Sequence, residues 1–439
     1  MNKTFTTFAK RLSLGSNPKK PSLGIIFLGL PIFLLAYLVY FQPLGGLLLS
    51  KEQCQVRKWN LPNTTSTPVP KTSKSLPVLI SRPWVSCCEN DPSCFDNQIW
   101  GENEPKADQK ALINSINQSL KYLQTAKAEA DYQNYPILGI TRSRVIDSLI
   151  RFRELVQTSK SAKQLHDAVK REFILYQSIG SNKKGAVLFT SYYEPIFEAS
   201  RIPTAEYRYP IYRIPPDLSS WQKPHPTRLD LEGADGLQAA KSKLKGLEFF
   251  WFRDRMEAYM MQIQGSARLK LTDGTQTHVG YAGNIAQNYQ SIGKSLAEDG
   301  KVPLEGMTMP KILDYFRKYP QQLNVYIPKD PSFVFFQENY GVTATGSTSV
   351  PITADRSIAT DKALMPPGAL ALIRAHLPFP NPQGDMEHRI VSRYVLDQDA
   401  GGAIKGAGRV DYFVGAGKIA GERAGVTVGR GQLFYLLLK

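Results

Sequence analysis

From Gly180 to Lys439 the chain never sustains one long hydrophobic period. Short β-branched and aromatic runs alternate with Gly, Pro and Asn turns: "GAVLFTSYYEPIFEAS", "RYPIYRI", "YMMQIQGSARLKLTDGTQTHVGYAG", "PSFVFFQ", "GALALIRA", "HRIVSRYVLD" and "QLFYLLLK". Many short strands separated by turn residues fold into barrels or sandwiches. "LTDGTQ" places Asp-Gly between two such runs and marks a hairpin. One helix is expected to interrupt, from about Met309 to Tyr319. The fold class read here is mainly β.

Three helices are expected before the β region. Leu112, Ile113, Ile116, Leu120 and Leu123 share a face, with Asp108 as the N-cap. A second helix starts after Thr141 and turns Val145, Ile146, Leu149, Phe152 and Leu155 inward. A third carries Leu165, Val169, Phe173 and Tyr176. These are core faces and carry no chemistry.

The N-terminus differs in kind. Residues 1–22 hold Lys3, Lys10, Arg11, Lys19 and Lys20 and no acid, and Leu23 to Ser50 carry no charge. That apolar length suits a membrane anchor or a signal segment, with the basic tail in the cytoplasm and the remainder outside. Residues 51–105, rich in Pro, Ser, Thr and Lys, read as a flexible linker. Cys54, Cys87, Cys88 and Cys94 lie there, and export makes two disulfides plausible. The expected location is membrane-anchored or secreted, with the working part outside the cytoplasm.

Charge narrows the partners. The chain has 54 basic and 38 acidic residues, a formal charge of +16. A basic surface outside the cell favours an acidic wall polymer or anionic lipid. Nucleic acid is a poor fit, because Arg and Lys are not interleaved with stacking aromatics. Five scattered histidines and no Cys/His cluster give no zinc motif. "GAGRVDYFVGAGKIAG" matches neither a P-loop nor a dinucleotide fingerprint, so no cofactor is expected.

The chemistry-bearing segment is "LDQDAGGAIKGAGRVDYFVGAGKIAGERAG", where Asp399 and Asp411 stand among small residues. An acid that protonates a glycosidic oxygen needs a raised pKa, from burial or from a neighbouring negative charge. Asp411, between apolar and aromatic residues, fits a strand-embedded acid, and Asp399 fits the neighbouring charge. Spacing alone does not separate the pair from ordinary turn aspartates. Gln262, Gln264, Gly265 and Ser266 offer amides, a hydroxyl and accessible backbone to sugar hydroxyls, or form a bulged strand. Tyr192 and Tyr193 offer rings to pyranose faces, although strand alternation sends one of them to the core. Glu194 is a rival acid, but Pro195 suggests a solvated strand end that would leave it ordinary.

Taken in order, "GAVLFTSYYEP", "YPIYRIP", "MMQIQGSARLKLTDG", "GYAGNIAQNYQSIGKSL", "DPSFVFFQ", "SVPITADRSIATD", "PPGAL" and "DQDAGGAIKGAGRVDYFVGAGKIAGERAG" resemble the membrane-bound lytic murein transglycosylase A family over about residues 185–439. The resemblance implies a double-psi β-barrel from residues 106–196 plus 339–439, its helices included, and a smaller inserted β-barrel at 197–338. It implies a groove between them. It also implies cleavage of the MurNAc-GlcNAc bond of peptidoglycan without water, leaving a 1,6-anhydro-MurNAc end. The family's catalytic acid maps to Asp411 and its companion to Asp399. Tyr192, Tyr193, Gln264, Gly265, Ser266, Gly401, Gly402 and Lys405 are the expected substrate-binding positions. The implied partners are glycan strands and, through the N-terminal segment, a membrane; the protein is expected to act as a monomer. Ser191 stands where relatives have glycine, and a helix would replace their lipid anchor. A hydrolase, or a non-catalytic wall-binding protein on the same barrel, are the alternatives.

Overall fold

In the computed structural model the alternating runs become strands. The model describes residues 77–84, 91–102, 106–133, 135–339 and 344–439, all within the second of the two units into which the chain divides, residues 65–439. Fourteen strands are present among them: β1 (Leu79–Arg82), β2 (Phe173–Ser178), β3 (Val187–Glu194), β4 (Ile196–Ala199), β5 (Tyr209–Tyr212), β6 (Glu248–Phe252), β7 (Ser266–Leu271), β8 (Gln276–Asn284), β9 (Val334–Glu338), β10 (Ser357–Ala359), β11 (Leu370–Pro380), β12 (Met386–Asp399), β13 (Arg409–Ala416) and β14 (Gly429–Leu438).

Six of these close on themselves. The ring runs β3, β13, β10, β12, β11, β14 and back to β3, with β2 and then β1 added along β14. Closure removes sheet edges that would otherwise expose unpaired N–H and C=O groups. Period-2 alternation fills the inside: Val410, Tyr412 and Val414 of β13 are buried, as are Val187 and Phe189 of β3. Arg409, Asp411 and Phe413 therefore share the other face of β13.

Strands β4–β9 pair among themselves. β4, β7, β8 and β9 form one sheet and β5 with β6 another, and single bridges Ser200–Trp251 and Arg213–Phe336 join the two into a second ring. Its core holds Ile211, Phe250, Phe252, Leu269, Val279 and Phe336. The "LTDGTQ" turn forms as expected, Leu271 N–H donating to the Thr275 carbonyl at 2.8 Å with Gly274 at φ +84°.

The helices α1 (Gln109–Leu123), α2 (Ala126–Gln133), α3 (Arg142–Thr158) and α4 (Ala162–Glu172) precede the barrel strands. Thr141 caps α3 by accepting from Arg144 N–H at 3.2 Å. The expected third helix stops at Glu172, so Phe173 and Tyr176 lie in β2, one buried and one half-buried, as strand alternation requires. Asp108 occupies the N-cap position of α1 without capping it. Its carboxylate accepts from Arg356 Nε at 2.7 Å and Nη2 at 2.6 Å instead. A buried guanidinium beside β10 outweighs one helical N–H, because an unpaired buried charge costs far more than an uncapped turn.

Two further expectations change. The linker read over 51–105 is not loose throughout: Leu79–Arg82 pairs with β2, and Asp96, 2 % exposed, receives Arg356 Nη1 at 2.5 Å and Tyr394 N–H at 2.8 Å. One aspartate and a few apolar residues suffice to dock a segment whose average composition is polar. Cys94 is buried, while Cys54, Cys87, Cys88 and the apolar segment 23–50 lie outside the described residues. No helix among the described residues is long and apolar enough to cross a membrane.

The run "YMMQIQ" is not strand. α5 (Arg228–Glu232) is followed by α6 (Arg255–Gln264), which starts where Asp254 accepts from Met256 N–H at 2.6 Å and ends at Gly265 with φ +75°. Met, Ala and Gln are good helix formers, and a left-handed Gly ends a helix. More than one helix interrupts the β region: α7 (Ile292–Glu298), α8 (Met309–Lys318), α9 (Leu323–Tyr326) and α10 (Gly417–Val426) follow. α8 is the expected one.

Candidate active site

Strand register answers why two aspartates stand twelve positions apart. Ala359 of β10 pairs with Asp399 of β12 on one side and with Asp411 of β13 on the other, and Asp411 pairs with Thr190 of β3. Asp399, Ala359, Asp411 and Thr190 thus form one row across four adjacent strands. Two strand spacings put the aspartate Cα atoms roughly 9–10 Å apart. Only a methyl group stands between the two positions.

Asp411 Oδ1 accepts a hydrogen bond from Thr190 Oγ1 at 2.6 Å. Asp411 keeps some exposure as a residue, yet enough protein surrounds its carboxyl that burial is the largest influence on it. Its pKa is pushed up from 3.8 to about 6 by burial, with Asp399 adding to the rise and the Thr190 hydroxyl and Arg409 charge opposing it. A carboxyl poised there gives a proton and takes one back in the same pH range.

Asp399 is held differently. Oδ1 accepts from Ser347 N–H and Ala400 N–H, each at 2.8 Å, and Oδ2 accepts from Tyr192 Oη at 2.7 Å. Burial raises its pKa against these three donors. Three protein donors hold both of its oxygens in place. Tyr192 stacks on Phe413 with ring centroids 5.2 Å apart, which fixes its hydroxyl over Asp399. Burial pushes the Tyr192 hydroxyl far above its ordinary pKa, so it stays a donor.

The other expected positions scatter. Tyr193 points to the opposite face of β3, where its ring lies against Gly421 of α10; a methyl there would approach the ring at 3.0 Å. Its N–H donates to Gln264 Oε1 at 3.1 Å, so Gln264 ties α6 to β3. Gly265 is the α6 terminus, and Ser266 opens β7 opposite Gly280. Gln262 is buried and accepts from Arg228 Nη2 at 2.8 Å, a core role. Gly401, Gly402 and exposed Lys405 lie on the loop from Asp399 to Arg409, where a methyl on Gly402 would sit 3.9 Å from Tyr289 Cβ. Ser191 faces away from Asp411, its hydroxyl buried without a partner. Glu194 is not solvated: it is 2 % exposed and receives Arg268 Nε at 2.8 Å and lies 3.1 Å from His278 Nδ1. Those two partners, both from the second ring, draw it inward.

Four groups escaped the sequence reading. Thr190, Ser347 and Arg409 enter through strand register or a distant loop, and no local pattern marks them. Tyr289, in the "NIAQNYQS" loop, is electrostatically coupled to Arg409 and comes from the second ring. A second raised carboxyl, Glu257 on α6, is lifted by burial to about 7, but it neighbours Tyr193 rather than Asp411.

The chain is similar to known proteins over both rings. The "MltA specific insert domain" model matches residues 188–337 and the "3D domain" model residues 356–437. The membrane-bound lytic murein transglycosylase A of Escherichia coli is 32 % identical over 263 residues, 60 % of this chain and 68 % of that protein. Its Vibrio cholerae counterpart is 32 % identical over 264 residues, 59 % and 68 % of the two chains. The crystal structure of a membrane-bound lytic murein transglycosylase from Agrobacterium tumefaciens superposes with a TM-score of 0.61 at 26 % identity, covering 78 % of this chain and 95 % of that one. E. coli MltA with bound chitohexaose superposes with a TM-score of 0.58 at 25 % identity, covering 74 % and 90 %. Both domain signatures, with a third of positions shared across two thirds of a relative, place this chain in the membrane-bound lytic murein transglycosylase A family.

Proposed function

We propose that the protein cleaves the MurNAc-GlcNAc β-1,4 bond of peptidoglycan by intramolecular transglycosylation, with Asp411 as acid and then base. The observation that carries the reading is the Asp411 carboxyl itself, raised to about 6 by burial on a barrel strand and bonded by Thr190. Protonated Asp411 gives its proton to the scissile oxygen as positive charge grows on the MurNAc ring. The carboxylate left behind stabilises that charge and then removes the C6 hydroxyl proton as its oxygen closes onto C1. Proximity within one sugar favours this attack over water. Asp399, fixed by Tyr192, Ser347 and Ala400, adds negative charge beside Asp411 and keeps it protonated at higher pH than it would otherwise be.

The six-strand ring is read as a double-psi barrel and residues 197–338 as an inserted second barrel, the glycan lying in a groove between them. Contacts from both bodies support that division: Gln264 holds the Tyr193 backbone, and Tyr289 approaches Gly402. A hydrolase would need a second carboxylate free to activate water; Asp399 is instead tied to three protein donors. The periplasmic face of a membrane is the expected site of action. Digestion of purified sacculi followed by mass spectrometry tests the reading: 1,6-anhydro ends are expected, and reducing ends one water heavier contradict it.

A further inference from the structure

Most guanidinium groups in this molecule are visibly employed. Arg356 clasps Asp96 and Asp108, Arg423 binds Asp355 at 2.7 and 3.1 Å, Arg228 meets Glu232, and Arg268 holds Glu194. Arg409 is the exception beside the reactive row. Its Nε is buried with no hydrogen-bond partner, and no ion pair to any described carboxylate involves it. Burying part of a guanidinium without an acceptor is costly. Such an orphan donor, two residues from the reactive acid, points to an acceptor that arrives with the ligand.

Its position says which one. Arg409 and Asp411 are i and i+2 on β13, so their side chains leave the same face about 6–7 Å apart along the strand. That span is about the width of one pyranose ring with its substituent. If Asp411 addresses the oxygen on C1, Arg409 reaches a substituent two carbons round the same ring, at O3. In MurNAc that oxygen carries a lactyl arm, which ends in a carboxylate or in the carbonyl that begins the stem peptide. GlcNAc carries only a hydroxyl there. Half-exposed Leu188 pairs with Arg409 on β3, and the Arg409 charge reaches Tyr289. An apolar neighbour strengthens a charge-assisted hydrogen bond.

Building on the transglycosylase reading, we propose that Arg409 is the residue that distinguishes MurNAc from GlcNAc at the cleavage site, by donating to a carboxyl-derived oxygen of the 3-O-lactyl arm. Its fork of donors fits a carboxylate or a carbonyl, and the neutral chitin backbone offers nothing equivalent at that carbon. The same cation lowers the pKa of Asp411, so a lactyl carboxylate that occupies Arg409 also releases Asp411 toward its protonated, acid-competent form.

The test measures binding in an Asp411→Asn background, which blocks turnover, to three ligands: peptide-bearing glycan strands, amidase-stripped strands with free lactyl carboxylates, and chitohexaose. Arg409→Met is expected to weaken both lactyl-bearing ligands about 10- to 100-fold and chitohexaose less than twofold, with Arg409→Lys recovering part of the loss. A larger loss on stripped strands identifies the carboxylate as the acceptor; an equal loss identifies the carbonyl. Equal weakening of all three ligands, or of none, overturns the proposal. If the Asp411→Asn parent binds no glycan, the transglycosylase reading fails and this inference falls with it. In the enzyme with Asp411 intact, Arg409→Met should also move the alkaline limb of kcat/KM on sacculi to higher pH, which a merely structural arginine would not do.

Discussion

Replacing Asp411 by Asn should stabilise the protein, and only above acidic pH. Burial lifts the Asp411 pKa from 3.8 to about 6. The fold therefore holds its proton where the unfolded chain has lost it, and wild-type stability falls as pH rises through that window. Keeping the carboxylate charged at pH 8 costs the fold up to about 3 kcal/mol, an upper bound because the residue retains some exposure. Asn has no charge to lose and its carbonyl still accepts from Thr190 Oγ1. The difference in unfolding free energy between variant and wild type should thus be smallest below pH 4 and grow by about 1–3 kcal/mol by pH 8. Urea denaturation at pH 4, 5, 6, 7 and 8 measures it directly. A pH-independent difference, or one that shrinks as pH rises, would refute the claim that Asp411 is desolvated in the fold.

The remaining predictions probe the neighbours. Thr190→Val removes a donor that favours the carboxylate, so the alkaline limb of kcat/KM should move above about 6, read from pH–rate profiles on sacculi. Asp399→Asn removes the charge that raises Asp411, so the same limb should move to lower pH and activity at neutral pH should drop. Glu257→Gln, despite the raised pKa of that carboxyl, should leave cleavage near wild type; a loss comparable to Asp411→Asn would transfer the acid role to α6. Arg356→Met strands Asp96 and Asp108 in a buried site and should cost about 3–5 kcal/mol in denaturant unfolding.

Much of this was legible in the sequence because local pattern and final packing agree. The alternating runs became strands, and Thr141 and Met309 began the expected helices. The "YMMQIQ" segment was misread as strand although its helical signals, Asp254 and Gly265, were present at both ends. The apolar weight of the run outvoted them. α10 was hidden for the opposite reason: a glycine-rich segment carries little intrinsic preference, and packing against β3 and the Tyr193 ring makes it helical. At the site, Asp411 was visible because it interrupts an apolar strand. Its companionship with Asp399 depends on β10 slipping between β12 and β13, a non-local pairing that no spacing encodes. Glu194 was misjudged because the arginine and histidine that bury it come from strands about 70 to 85 positions away.

The central claim is that one carboxyl gives and retakes a single proton while the substrate's own hydroxyl closes the ring. Digesting sacculi in water enriched with heavy oxygen and weighing the released muropeptides tests it most directly. The account predicts anhydro ends with no label from solvent, and none at all from Asp411→Asn. Labelled reducing ends would contradict it, and so would anhydro products at a wild-type rate from that variant.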